Sequence, residues 1–342
     1  MKAAVIREFG DISKLIIEEV ATPIAGPGEV IVKMKTAGIN HLDHDIREGI
    51  SGFPIEFPHV PGIEGAGEIV DLGSGVTSAS IGQRVGISLL APCGVCKMCL
   101  SGQDNLCYNG HFLGASMWGT YADYVKCYES QLIHLPHNLS FDKAAASHLC
   151  FGTAWHMAVH YGKVTAGMNV LVNAAGSGVG TSAIQIAKLH GARVIASAGS
   201  DEKLVKAREL GADVTINYRD DNLAVATMEA TNGIGAELVI ESVGGEVLLK
   251  SIDAAAKGGM IVTCGAHAGE QINLDVITLF RKNLRFQGSV LSTRLEMEHI
   301  FQLVADKKLN PVIHTKLKLE DVKEAAKLTS NRNFFGKILL ET

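Results

Sequence analysis

The chain has 342 residues, 47% of them hydrophobic, with 36 acidic against 31 basic side chains and a formal net charge of -5. That length points to two domains with ample core, and the acidic balance argues against binding a phosphate backbone, which needs clustered Lys and Arg. No apolar run approaches the roughly 18 residues of a membrane span, and MKAAVIREFGD meets charge at Arg7 and Glu8, too early for a signal-peptide core. A soluble cytoplasmic protein with small-molecule partners, and with neither nucleic acid nor membrane, is the expectation.

The first third reads as short strands broken by Gly and Pro. GEVIVKMKTAG alternates Val30, Val32 and Met34 against Ile31, Lys33 and Lys35, and GAGEIVDLGSGV and GQRVGIS are similar pieces. Short strands with frequent turn signals favour a barrel-like β domain. Between the first two lies AGINHLDHDIREG, residues 37–49, crowded with histidines and acids.

CGVCKMCLSGQDNLC then sets Cys93, Cys96, Cys99 and Cys107 in a C-x2-C-x2-C-x7-C array. Four thiolates close a tetrahedral shell around zinc and leave no open position, so this lobe (about 93–107) is read as a structural zinc site. The total of seven cysteines is odd, which suits a reduced compartment better than a disulfide framework. Cys127, Cys150 and Cys264 read as small buried hydrophobes.

Near residue 150 the rhythm changes. Apolar runs NVLVNAA, RVIASAG, VTINY, ELVIESV, MIVTCGA and LRFQGSV alternate with helix-like segments such as TSAIQIAKLHG, which Gly191 can close. Nearly all-apolar strands alternating with helices are the mark of a doubly wound parallel sheet. The tail, 291–342, returns to mixed helix and strand and ends FFGKILLET.

NVLVNAAGSGVGTSAIQIAK places a strand, a glycine cluster and a helix in that order. Gly176, Ser177, Gly178, Val179 and Gly180 form the turn, in which glycines let the backbone approach a pyrophosphate whose charge rests on the helix N-terminus. The acid that holds an NAD ribose is expected at the end of the next strand, but RVIASAGSDEKL carries Ala198, Gly199 and Ser200 there, and no acid until Asp201. With Lys203 close by and Asn217, Tyr218 and Arg219 after the following strand, a 2′-phosphate is favoured, hence NADP(H) over NAD(H). The competing reading of Lys203 is an ordinary solvated helix lysine.

With these pieces placed, the chain resembles the medium-chain dehydrogenase/reductase superfamily, the zinc alcohol dehydrogenases and quinone reductases, over nearly its full length. The resemblance is carried by PGIEGAGEIV, the four-cysteine lobe, GTYADYV, GTAWHM and the dinucleotide segment, in that order. It implies an α/β chain in which a GroES-like β-rich catalytic domain (1–150 and 291–342) encloses a Rossmann domain (151–290). It also implies a substrate cleft between the domains and a homodimer or homotetramer. By the same resemblance Thr153 lies beside the nicotinamide, and Cys264, Gly265, Ala266, Gly288, Ser289 and Val290 line it with strand-end backbone; a helix cap is the competing role for Thr153.

The departures from the family pattern carry as much weight. The first catalytic-zinc Cys position corresponds to Asn40, the zinc His to Ile63 with Glu64 kept beside it, the last ligand to Leu149, and the proton-relaying hydroxyl to Leu42. An amide and two aliphatic side chains do not make a zinc site with an open position. AGIN followed by Asp43 instead resembles the zinc-independent quinone and enone reductases, which use NADPH. Asn40 is then a candidate donor to a substrate carbonyl oxygen, or it only fixes its loop. Asp43 is expected to support that loop, or to act as an acid if burial raises its pKa. His41, His44, Asp45, His59 and Glu64 form a rival metal set, with His41 and Asp45 at helical i, i+4 spacing.

The leading expectation is an NADPH-dependent oxidoreductase that transfers hydride to a quinone or activated C=C substrate without a catalytic metal. The alternatives are a zinc-dependent alcohol dehydrogenase with rearranged ligands, and an NADPH-binding regulatory protein with little catalysis.

Overall fold

The β-branched run in Glu29–Gly38 sits at the centre of a seven-stranded sheet in the computed structural model, which describes residues 1–342. It pairs antiparallel with Gly65–Leu72 on one side, and with Tyr124–Tyr128 and Lys337–Glu341 on the other. Val30, Val32 and Met34 are buried as the alternation requires, and Ile31 on the opposite face is buried as well, as befits a central strand. The chain divides into two compact units: Met1–Leu149 with Thr293–Thr342, and Cys150–Ser292.

In the first unit, strand register decides which residues meet. Gly65 lies opposite Ala37, and the Gly38 N–H bonds the Glu64 carbonyl at 3.0 Å. On the other side Leu339 lies opposite Gly38, and the Ile39 N–H bonds the Ile338 carbonyl at 3.0 Å. Asn40, Glu64 and Lys337 are thereby delivered to one end of three adjacent strands. Gly38 is required there, because a Cβ on it would lie 2.4 Å from Glu64 Oε2.

Helix His41–Glu48 leaves that same end. It starts from Asn40 in extended conformation and stops at Gly49, whose φ of +79° gives the left-handed turn that commonly closes a helix. Its inner face buries Asp43, His44, Ile46 and Arg47.

The second unit is a six-stranded parallel sheet, in spatial order Val214–Asn217, Arg193–Ala198, Asn169–Val172, Ala236–Glu241, Ala255–Thr263, Arg285–Gly288. The first strand in sequence lies third in space, so the order reverses between Asn169–Val172 and Ala236–Glu241. Ligands of doubly wound sheets bind outside the carboxyl ends of the strands at such a switch point. Val170, Leu171, Val194, Ile195, Val239 and Ile261 are fully buried, which is what covering both faces of a parallel sheet demands. No helix is long and apolar enough to cross a membrane.

Candidate functional site

The end of the three strands holds a closed polar network. The Lys337 ammonium donates to the Ile39 carbonyl at 2.9 Å, Asn40 Oδ1 at 2.6 Å and Glu64 Oε2 at 2.7 Å, which occupies all three of its protons. Asn40 Nδ2 donates to Glu64 Oε2 at 2.9 Å and reaches the Gly38 carbonyl only at 3.4 Å. The other Glu64 oxygen accepts the Leu149 N–H at 2.6 Å. Glu64 and Lys337 are buried, and a pair withdrawn from water in this way stands only because its remaining donors and acceptors are matched.

Asp43 is the second focus. Oδ2 accepts the Asn40 N–H at 2.8 Å and the Tyr121 hydroxyl at 2.7 Å, while Oδ1 accepts the Ile63 N–H at 3.1 Å. Burial nevertheless pushes its carboxyl up to about 6, against the pull of Tyr121, the Asn40 amide and Lys337. Asp43 thus ties helix His41–Glu48 to the turn carrying Ile63 and Glu64.

The rival metal set does not share a centre. His59 bonds the Gly114 carbonyl through Nε2 at 2.9 Å, and Glu64 is held by Lys337, Asn40 and Leu149. His44 Nδ1 meets Arg47 Nη1 at 2.9 Å and so acts as acceptor there, which leaves a buried Nε2–H without a partner. A cavity of about 10 Å³ lined by Asp43, His44, Arg47 and Tyr121 adjoins it, near the lower limit for one water. Burial lowers His44 to about 4, helped by the Arg47 charge. Only His41 and Asp45 pair, at 3.8 Å on a partly exposed face.

Cys93, Cys96, Cys99 and Cys107 do converge, with all four sulfurs within 4.8 Å of one another. Cys96 lies 3.6 Å from Cys99 and 3.9 Å from Cys107. A tetrahedron with Zn–S bonds of about 2.3 Å has edges of about 3.8 Å, so the cluster is compatible with a structural zinc. Gly94, at φ +74°, turns the backbone between the first two ligands.

In the second unit the glycine turn lies between strand Asn169–Val172 and helix Gly178–Leu189. Ser177 caps helix Gly178–Leu189 by accepting the Gly180 N–H at 2.9 Å. A Cβ on Gly180 would stand 2.2 Å from the Ala174 carbonyl, so this glycine lets helix and strand close up. Val179 lies in the first turn of the same helix. Cys264, Gly265 and Ala266 follow strand Ala255–Thr263, and the Ser289 N–H bonds the Thr263 carbonyl at 2.8 Å. These residues, with Gly288 and Val290, share the carboxyl edge of the sheet with the glycine turn. Thr153 is buried in the last turns of helix Phe141–Trp155.

The end of strand Arg193–Ala198 carries no acid and is covered by two side chains. A Cβ on Gly199 would lie 2.6 Å from the Tyr218 hydroxyl and 3.1 Å from Arg219 Nε. Asp201 is turned away to Asn217, whose Nδ2 donates to it at 3.0 Å. Ser200 precedes helix Asp201–Glu209, which carries Lys203.

Sequence reasoning missed Lys337, Tyr121 and the Leu149 N–H. The one available signal for Lys337 was a charge directly before the apolar run Ile338–Leu340.

Known proteins extend this description. Residues 26–137 match the alcohol dehydrogenase GroES-like domain and residues 178–306 the zinc-binding dehydrogenase domain. An alcohol dehydrogenase of Geobacillus stearothermophilus is 32% identical over all of this chain and 99% of its own length, and one from Moraxella sp. is 30% identical with the same coverage. Among solved structures, an NAD-dependent alcohol dehydrogenase is similar with a TM-score of 0.94 at 40% identity, each chain fully covered. A thermostable alcohol dehydrogenase of Pyrobaculum aerophilum, solved with cobalt and zinc bound, gives 0.90 at 28% identity, with 100% of this chain and 99% of that one covered. A GroES-like β domain, a parallel dinucleotide-type sheet and these full-length similarities together establish that the chain belongs to the medium-chain dehydrogenase/reductase superfamily and is an oxidoreductase.

Proposed function

We propose that this oxidoreductase uses NADPH to transfer hydride to a quinone or an activated C=C substrate, without a catalytic metal. The observation that carries the reading is the Lys337 ammonium, 2.6 Å from Asn40 Oδ1 and 2.7 Å from Glu64 Oε2. Asn40, Ile63 and Leu149 stand at the family's zinc-ligand positions and supply no soft donor. Lys337 pairs with Glu64, so the one carboxylate among them is already committed to a counter-charge and is not free to join a metal shell.

Bound NADPH would supply a hydride to the β-carbon of an enone, or to the quinone ring. Asn40 would donate its less committed Nδ2–H to the substrate oxygen as negative charge develops there. Asp43 keeps the Asn40 backbone in place, and Thr153 and the carboxyl edge of the parallel sheet, from Gly176 to Val290, are assigned to the cofactor. Tyr218 and Arg219 against Gly199, with Ser200 and Lys203, support a 2′-phosphate over a free ribose. The four cysteines are assigned one structural zinc. Exposed Val276, Ile277, Phe280 and Phe286 on and before the edge strand Arg285–Gly288 support a homodimer or homotetramer, which a sedimentation measurement checks.

The deciding experiment is an assay of quinones, enones, enoyl thioesters, aldehydes and alcohols with NADPH and NADH, alongside metal analysis. Turnover of enones or quinones with NADPH at about one zinc per chain supports the reading. A second reading, alcohol oxidation, is favoured by the names of the relatives; metal-dependent alcohol turnover with two zincs per chain and inert enones would establish it instead.

A further inference from the structure

Lys337 does more than neutralise Glu64. All three of its acceptors are buried oxygens, and one of them is the amide oxygen of Asn40. An amide whose oxygen accepts from a cation loses electron density at nitrogen, and its N–H groups become stronger donors. Of the two Asn40 N–H groups, one is taken by Glu64 at 2.9 Å, and the other has only the Gly38 carbonyl at 3.4 Å. Asn40 is buried but keeps slightly more exposure, 8%, than Lys337, Asp43 or Glu64, and its second N–H is the least committed donor of the network.

We propose that Lys337 is a positioning residue that acts through Asn40. Its ammonium fixes the amide oxygen, and polarises the less committed Nδ2–H for donation to a substrate oxygen that gains negative charge. The proposal rests on the functional reading above. It makes the strand Lys337–Glu341 part of the reaction machinery, with a tethered cation working one residue removed from the substrate. No atom of Lys337 needs to touch the reacting groups.

The test begins from charge balance, because K337M alone strands Glu64 as a buried anion and risks misfolding. K337M/E64Q removes both charges and leaves a carboxamide able to accept the Leu149 N–H. In this variant kcat should fall roughly tenfold, with the KM for NADPH unchanged and NADPH binding at full stoichiometry. N40A should lower kcat by about 10²-fold, and adding K337M/E64Q to N40A should cost nothing further, since the path runs through the missing amide. Additive losses, or a K337M/E64Q kcat within twofold of the parent, would overturn the proposal. A readout independent of turnover is the Asn40 side-chain amide proton in asparagine-labelled protein. It should move upfield in K337M/E64Q, and an unmoved resonance refutes polarisation. If the parent reduces neither enones nor quinones, the functional reading falls, while the resonance shift still decides whether Lys337 polarises Asn40.

Discussion

The Tyr121 hydroxyl donates to Asp43 Oδ2 at 2.7 Å across 78 residues of sequence, and both groups are buried. This bond joins the loop before strand Tyr124–Tyr128 to the first turn of helix His41–Glu48 and steadies the carboxylate that holds the Asn40 N–H. Y121F deletes one donor from an acceptor already short of solvation. It should cost about 1–3 kcal/mol and raise the Asp43 carboxyl further, read as a lower urea midpoint with an unchanged slope. A midpoint equal to the parent's would mean that the bond contributes nothing net.

Stability should fall as the solution is acidified from about pH 6.5 to pH 4. Asp43 alone predicts the opposite: its folded pKa of about 6 exceeds the ordinary 3.8, so the folded state binds more protons and loses stability as pH rises through that window. His44 and His148 each drop from 6.5 to about 4 through burial. For them the unfolded chain binds more protons between those values, and stability rises with pH. These two histidines, joined by His59 whose imidazole burial also lowers, outweigh Asp43 and the smaller upward shifts of Asp104 and Glu241. Melting temperatures taken at half-unit pH steps should climb from pH 4 to 6.5, and in D43N they should climb more steeply. A flat profile would contradict the buried neutral imidazoles.

Removing zinc should loosen the cysteine lobe and leave the Lys337 network alone. Metal analysis should return about one zinc per chain, and C96S should return none. Chelation should lower the melting temperature without changing the amide resonance of Asn40. A second tightly held zinc that survives in C96S would place a metal elsewhere.

Cofactor choice should depend on the side chains around Gly199. K203A/R219A should weaken NADPH binding roughly tenfold or more, the scale of one charge-assisted phosphate contact, and leave NADH binding within twofold. G199D should weaken both cofactors, since its side chain meets the Tyr218 hydroxyl. Equal losses for NADPH and NADH in K203A/R219A would remove the case for a 2′-phosphate.

Much of this architecture was legible in local sequence. The glycine turn, the apolar parallel strands and the cysteine spacing each encode their geometry within about twenty residues, and the fold class follows from them. AGINHLDHDIREG was harder, because periodicity shows which residues share a helix face and not what that face meets. His44 and Arg47 bind each other, His59 binds a carbonyl, and the conspicuous polar residues are largely occupied with holding the helix in place. Lys337 was illegible because its partners lie 273 and 297 residues away and only sheet register brings them together. The same limit hid Tyr121 and the backbone of Leu149.

Because the cation is carried on the strand Lys337–Glu341, the network around Glu64 closes only when that strand takes its place in the sheet. Without the pairing of that strand to Glu29–Gly38, Glu64 lacks its counter-charge, and burying it would carry an uncompensated desolvation cost. Sheet closure and charge neutralisation at this end are therefore one event, and the strand Lys337–Glu341 acts as the latch on its own site.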